Sequence, residues 1–270
     1  MRNIKLAVFI VIALLLNTSA FAQRFEVGVN AGGSSYLGDL NQYNPVKISG
    51  MNAGAFVKLN FDPHWGVGLH YNYGKIKAND ADSKYEQVKE RNLNFSTSLN
   101  EASILLDFNL FDMYANNGRK KFSPYIFLGG GLVIFEPKTE YQGEEYKMRL
   151  YNTEGQSENY KKYAITIPYG VGIRYKLREQ WTVFSQIGYR TAFTDYLDDV
   201  SGVYPNANAW DNTGTGGIGR PLSDRSGEIN GGANIGEPGM QRGDFRKRDT
   251  YMFVGIGITY TFVSSKCFTF

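Results

Sequence analysis

Two histidines, three closely spaced aspartates and a glycine-rich tract are the places where this chain has the residue types that chemistry uses. His64 falls in a short polar turn. His70 lies in an alternating apolar/polar stretch, on the polar side, as do Glu101 and Asp107 in another stretch. A base held by an acid is how a nucleophile is activated. No nucleophile motif accompanies it, so His70 is read as a member of a buried polar network. Asp195, Asp198 and Asp199 offer oxygen ligands of the kind that take Ca²⁺, but their spacing matches no defined calcium loop, and a solvated or capping role is expected. Gly214-Thr215-Gly216-Gly217-Ile218-Gly219 lacks the Lys-Ser/Thr and the strand-to-helix setting of a phosphate loop. Arg242-Gly243-Asp244 matches an integrin-binding tripeptide by chance. The one cysteine, Cys267, supports neither a disulfide framework nor a Cys-rich metal site. These residues predict a non-enzymatic protein with no metal or cofactor, and a small-molecule ligand is not expected.

What surrounds these residues is strand. Of 270 residues 31 are Gly, 42% are hydrophobic, 15% are aromatic and 20% are charged. That is too apolar and aromatic for a disordered chain. Basic and acidic residues number 29 and 26, which gives no basic excess for nucleic acid. Residues 1–22 read as a secretory signal, with Arg2 and Lys5 at its start, an apolar run over 6–16, and Ala20-Phe21-Ala22 before the cleavage point. Cleavage between Ala22 and Gln23 removes two positive charges, so the net charge falls from +3 to +1, and residues 23–270 form the mature domain. No later stretch could span a membrane as a helix, so any membrane span is a barrel.

Eight stretches alternate apolar with small or polar residues: 25–31, 51–61, 65–73, 102–110, 124–135, 165–175, 181–189 and 252–262. The fifth is apolar on both faces, and its phase is undefined. Most are about ten to twelve residues long, the length at which a tilted strand crosses a bilayer. Three-residue joins at 62–64 and 178–180 and a moderate one at 112–121 alternate with long polar connections. The pattern predicts an all-β, eight-stranded antiparallel transmembrane barrel with short periplasmic turns and long external loops.

In so narrow a barrel the face rich in glycine and polar groups must point inward. It carries Glu26, Glu101 and Asp107 against Lys58, Arg174, Lys176 and Arg190. Charges packed there persist only as pairs, so they predict a lumen closed by salt bridges rather than a pore. Trp65 and Trp181, each beginning a strand after a short turn, fit an interfacial girdle.

Several ordered segments carry a family resemblance. They are Tyr36-Leu37-Gly38-Asp39-Leu40, Asn152-Thr153-Glu154-Gly155-Gln156, Ile167-Pro168-Tyr169-Gly170-Val171-Gly172, Gly188-Tyr189-Arg190, and Thr194-Asp195-Tyr196-Leu197-Asp198-Asp199-Val200-Ser201, with Lys266-Cys267 at the end. In these the chain resembles the PorG-like outer-membrane barrels of the type IX secretion system of Bacteroidetes-type bacteria. The acidic segment containing Asp195, Tyr196, Asp198 and Asp199 is the most specific. The resemblance implies an outer-membrane component of a secretion machine that associates with a periplasmic ring lipoprotein and its partner. A ring on that side can touch only the short turns and the tail, which points to Arg119, Lys120 and Lys121 and to Lys266, Phe268 and Phe270. The alternative is a small structural or adhesive surface barrel, or a minor porin, outside any secretion system.

Overall fold

Alternation sets the backbone: side chains of successive strand residues point to opposite faces, so each stretch has one apolar and one polar face. In the computed structural model, which describes residues 24–113, 120–210, 216–244 and 246–262, these stretches are antiparallel strands. They are β1 (Arg24–Leu37), β2 (Ile48–Asn60), β3 (Trp65–Asn79), β4 (Asn94–Asn109), β5 (Phe122–Tyr141), β6 (Glu144–Lys147), β7 (Tyr163–Lys176), β8 (Trp181–Ala192) and β9 (Thr250–Phe262). Strand order is β4-β3-β2-β1-β9-β8-β7-β5, and pairing of β4 with β5 closes the ring. The short β6 pairs only with the end of β5, from Lys138↔Lys147 to Tyr141↔Glu144. The barrel thus has eight strands, closed and antiparallel.

The lower part of the barrel follows the alternation. Trp65, Val67, Leu69, Tyr71 and Tyr73 point out from β3, while Gly66, Gly68, His70, Asn72 and Gly74 are buried inside. Glycine at two inward positions makes room for rings. A Cβ on Gly28 would lie 2.5 Å from Phe56 Cζ, and one on Gly188 would lie 2.5 Å from Phe127 Cζ. The β2–β3 turn is held by Asp62, whose Oδ1 accepts from His64 N at 2.6 Å and Trp65 N at 2.8 Å. The two tight turns, 61–64 and 177–180, have four residues rather than three, because Phe61 and Leu177 lie past the strand ends and donate their backbone N–H across the turn to the Trp65 and Trp181 carbonyls.

The strands run 12 to 20 residues, longer than the alternating stretches. The added length lies at the long-loop end, and there the polarity inverts. On β4, Ala102, Ile104 and Leu106 face out below, but Ser96, Ser98 and Asn100 do so above, where Phe95 and Leu99 are buried inside. On β3, Lys75 and Lys77 follow Tyr73 on the outer face while Ile76 is buried. On β5, Ile126, Leu128, Leu132 and Ile134 face out, then Glu136 and Lys138, with Val133 and Phe135 inside. β5 has no readable phase in sequence because both its faces are apolar over this stretch: Tyr125, Phe127, Val133 and Phe135 point in while Ile126, Leu128, Leu132 and Ile134 point out. The inner apolar residues Tyr36, Ile76, Phe95, Leu99, Val133, Phe135, Tyr251 and Phe253 form one core with Leu40, Met148, Leu197 and Val200 of the loops. An apolar outer wall around a polar interior suits a lipid surrounding, and the reverse above it suits water.

The long connections are folded. They contain a helix over Glu86–Arg91 and another over Gly216–Ser223, within loops that the alternation leaves without structure. Among the described residues, no helix is long and apolar enough to cross a membrane.

Candidate functional site

The charged residues that share inward parity meet in two layers of the lumen. In the lower layer Lys58 Nζ lies 2.9 Å from Glu26 Oε2 and 3.4 Å from Asp107 Oδ2. Arg174 Nη2 lies 2.6 Å from the same Asp107 oxygen and also donates to Asn109, while Asn60 donates to Glu26 at 3.0 Å. The Arg174 guanidinium stacks 4.0 Å from the centre of the Tyr125 ring. In the upper layer Arg190 Nε stands 3.4 Å from Glu101 Oε2, and Tyr251 and Ser103 donate to the Glu101 carboxylate. The register sets the first contact, since β1 Glu26 faces β2 Lys58, whereas Arg174 of β7 reaches Asp107 of β4 past the intervening β5. Lys176, of the same parity, donates to the Met113 carbonyl at 3.3 Å instead.

An aromatic layer lies between them. His70 stacks on Phe56 at 4.6 Å, and Phe56 meets Phe184 edge-on at 5.7 Å. His70 Nε2 has no hydrogen-bond partner, so the ring is not hydrogen-bonded there to Glu101 or Asp107 as an acid–base dyad would be. The side chains of Lys58, Glu26, Arg190 and Glu101 are 0%, 2%, 1% and 0% exposed. Charges lining an aqueous channel would be wet; these are not.

The long-loop end is capped. The Tyr36 hydroxyl donates to Asp198 and stands 3.2 Å from Asp249, whose other oxygen accepts from Leu197 N at 2.9 Å. Thr97 donates to the Leu197 carbonyl at 2.6 Å, which ties the cap to β4. Asp199 accepts from Thr153 and from Tyr160 at 2.6 Å. Arg242, only 2% exposed, donates to Ser223 O at 3.1 Å, Glu154 Oε1 at 3.0 Å and Asp199 O at 2.7 Å. Arg91 clasps Asp80 with two 2.7 Å contacts and donates to the Arg242 carbonyl at 2.6 Å.

Asp195, Asp198 and Asp199 do not converge on one point. Asp195 pairs with Ser201 at 2.7 Å, and its carboxylate groups instead with those of Asp39 and Asp249, within 4.8 Å of one another. Such a trio can hold protons or one cation. Burial, reinforced by Asp244 and Asp195, raises Asp39 to about 7, and burial raises Asp195 and Asp199 to about 6. Asp198 and Asp249 are held well above the usual carboxylate range by burial and by neighbouring carboxylates. Sequence parity says nothing of Asp39, Asp249, Arg91 or Arg242, which lie outside the alternating stretches; Asp39 stands in a family-like segment, and Arg242 only in a tripeptide read as a chance match. Arg242-Gly243-Asp244 is no exposed tripeptide, because Arg242 is buried. Gly214 and Thr215 lie outside the described residues, and Gly216–Ser223 is the helix noted above.

At the short-turn end Lys120 and Lys121 are exposed, with Lys120 Nζ 4.8 Å from the Phe111 ring centre, beside the exposed Leu110, Phe111 and Phe122. Trp65 packs on Phe108 at 4.6 Å and Trp181 on Tyr260 at 5.1 Å, both on the outer face. Ala22, Gln23, Arg119, Lys266, Phe268 and Phe270 lie outside the described residues.

The family described as Domain of unknown function (DUF6089) matches residues 5–220, which include seven of the eight barrel strands. No curated protein matches the sequence. Among solved structures, Neisserial surface protein A (NspA) is similar at 10% identity and a TM-score of 0.41, over 88% of this chain and 97% of that one. The N-terminal β-barrel domain of Pseudomonas aeruginosa OprF is similar at 9% and 0.38, over 89% and 98%. Ail of Yersinia pestis, in complex with the heparin analogue sucrose octasulfate, is similar at 11% and 0.39, over 89% and 99%.

Proposed function

Because the chain belongs to the DUF6089 family, whose description names no activity, we propose its function from the barrel: a non-enzymatic component of the outer membrane that serves as a scaffold of the type IX secretion system. The single observation that supports a scaffold over a transporter is the dry lumen. Lys58, Glu26, Asp107 and Arg174 neutralise one another across it, and the aromatic layer and the cap stand above them. A barrel that passes nothing through its centre works through its rims and its wall. The ordered segments resembling PorG-like barrels support the secretion role. In this reading the long loops face outside, and the periplasmic ring lipoprotein meets the short-turn rim through Arg119, Lys120, Lys121 and the tail residues Lys266, Phe268 and Phe270. Exposed apolar residues beside exposed lysines make that rim suitable for a protein partner.

Deletion in the native bacterium tests the proposal. Cargo should accumulate in the periplasm while uptake of small solutes stays unchanged, and purified protein should show no steady conductance in planar bilayers. Normal cargo export after deletion would refute the secretion role, and steady conductance would refute the closed lumen. Crosslinking from Lys120 and Lys121 in intact cells should capture the ring lipoprotein. The second reading, a surface barrel that binds partners through its ordered loops, is favoured by the folded cap and predicts normal export after deletion with loss of surface binding.

A further inference from the structure

One sector of the outer wall changes chemistry just above its apolar belt. On β3 the outward series Leu69, Tyr71, Tyr73 continues as Lys75 and Lys77. On β5 the series Leu132, Ile134 continues as Glu136 and Lys138, and β6 adds Lys147. The ladder places these lysines in one row: Lys77 is opposite Ser96, Ser96 opposite Lys138, and Lys138 opposite Lys147. Lys77 and Lys138 are two strands apart, about 10 Å, close enough for two lysine side chains to converge on one anion. Between them lies an open groove of about 840 Å³ lined by Lys47, Lys75, Lys77 and Lys138, with Ser49 and Ser96 as neutral donors.

The acids nearby, with Glu140 also on the groove wall, neutralise part of the row and leave Lys75 and Lys77 as its surplus positive charge. Asp82 pairs with Lys47 at 2.8 Å, Glu145 with Lys138 at 2.6 Å and Glu136 with Lys147 at 2.9 Å. Among the described residues, Lys75 and Lys77 have no ion pair. Below them the wall is aromatic and then aliphatic. The Tyr73 hydroxyl meets Ser98 at 3.4 Å and the Tyr71 hydroxyl meets Asn100 at 2.8 Å, with Leu132, Ile134 and Ile165 alongside. A ligand that fits must carry an anionic head against the lysines and apolar chains against the wall beneath them.

We infer that this strip binds the phosphate-bearing headgroup of a lipid in the leaflet next to the long loops, with Lys75 and Lys77 as its first contacts and Lys138 as the third. This rests on the reading of the barrel as a membrane protein with that end outward. A phosphate offers several acceptors to point-charge lysines, and acyl chains continue onto Tyr71 and Leu132 without a break. The lysines stand directly above the lipid-facing wall, where a headgroup lies whose acyl chains run down that wall; a soluble anion would use the lysines alone.

The test uses the full mature barrel, purified and inserted into uncharged phosphatidylcholine nanodiscs doped with lipid A. Native mass spectrometry should show retention of bis-phosphorylated lipid A well above its dephosphorylated form. The variant K75Q/K77Q/K138Q should lose most of that retention, at roughly fivefold per lysine and so on the order of a hundredfold in all. K89Q, on the surface helix, should match the wild type. Equal retention of the two lipids by the wild type, which needs no variant to fold, would overturn the inference. So would a folded triple variant that retains lipid A like the wild type, or displacement of the lipid by millimolar inorganic phosphate, which would mark a site for free anions. A wild-type chain that failed to insert would overturn the membrane reading together with the inference; insertion without lipid preference would overturn the inference alone.

Discussion

Replacing Lys58 by Met strands a carboxylate where no water can reach it. Lys58 Nζ lies 2.9 Å from Glu26 and 3.4 Å from Asp107. Asp107 keeps Arg174 at 2.6 Å, but Glu26 keeps the Asn60 amide at 3.0 Å and, of the cations, the more distant Arg174. At an effective dielectric of about 20, the attraction lost across 2.9 Å is about 6 kcal/mol, before the cost of burying the ammonium is returned. The net penalty for breaking a buried pair is about 3–5 kcal/mol, and it falls here on Glu26. Changing Glu26 to Gln in the same chain removes the stranded charge while leaving an acceptor for Asn60. The double variant Glu26→Gln, Lys58→Met should therefore regain roughly half or more of the loss. The assay is urea unfolding of barrel refolded in phospholipid vesicles, followed by Trp65 and Trp181 fluorescence. A loss of less than about 1 kcal/mol in the single variant, or a double variant no more stable than the single, would refute the account of the lumen as a set of mutually dependent charges.

Three further outcomes are expected. Asp39 sits near 7, and Asp195 and Asp199 near 6, against an ordinary 3.8, so the folded cap binds protons that the unfolded chain releases. Their contribution to stability is complete below 3.8 and is lost as pH rises through 6 to 7. With EDTA present, the urea midpoint read from Trp210 in a Trp65→Phe, Trp181→Phe background should be higher at about pH 5 than at about pH 8, and the reverse order would contradict the assignment. Arg242→Met leaves Glu154 and the Asp199 carbonyl without their cation, so the 193–249 connection should loosen by about 3 kcal/mol and become protease-sensitive while the barrel stays intact. Gly188→Val drives a side chain into the Phe127 ring, and should cost about 1–3 kcal/mol in the same unfolding assay, with partial rescue by Phe127→Ala.

The eight strands were legible because a lipid-facing wall enforces a strict period of two over the whole belt. Glu26, Lys58, Glu101, Asp107, Arg174 and Arg190 stand out in sequence as charges on the inward parity. Their pairing does not, since whether Arg174 reaches Asp107 or Glu101 depends on register and on strand order. The upper barrel was illegible for a physical reason. Lys75, Lys77, Glu136 and Lys138 are charged on the face that is apolar lower down, so an alternation count stops where the surrounding changes from lipid to water. The cap was harder still. Asp39, Asp195 and Asp249 come from separate connections, and nothing local to any of them announces the other two.

The inversion of polarity along β3, β4 and β5 also constrains biogenesis. With the long loops outside, as proposed, the cap segments cross the bilayer before they can pack, because Leu197, Val200 and Met148 find their partners in the upper barrel. Once across, the strands resist retreat. Sliding back would draw Lys75, Lys77 and Lys138 into hydrocarbon, at roughly 2–4 kcal/mol for each at the midplane. Insertion therefore behaves as a ratchet: each outward lysine that reaches water on the far side is a tooth that holds the barrel at its depth.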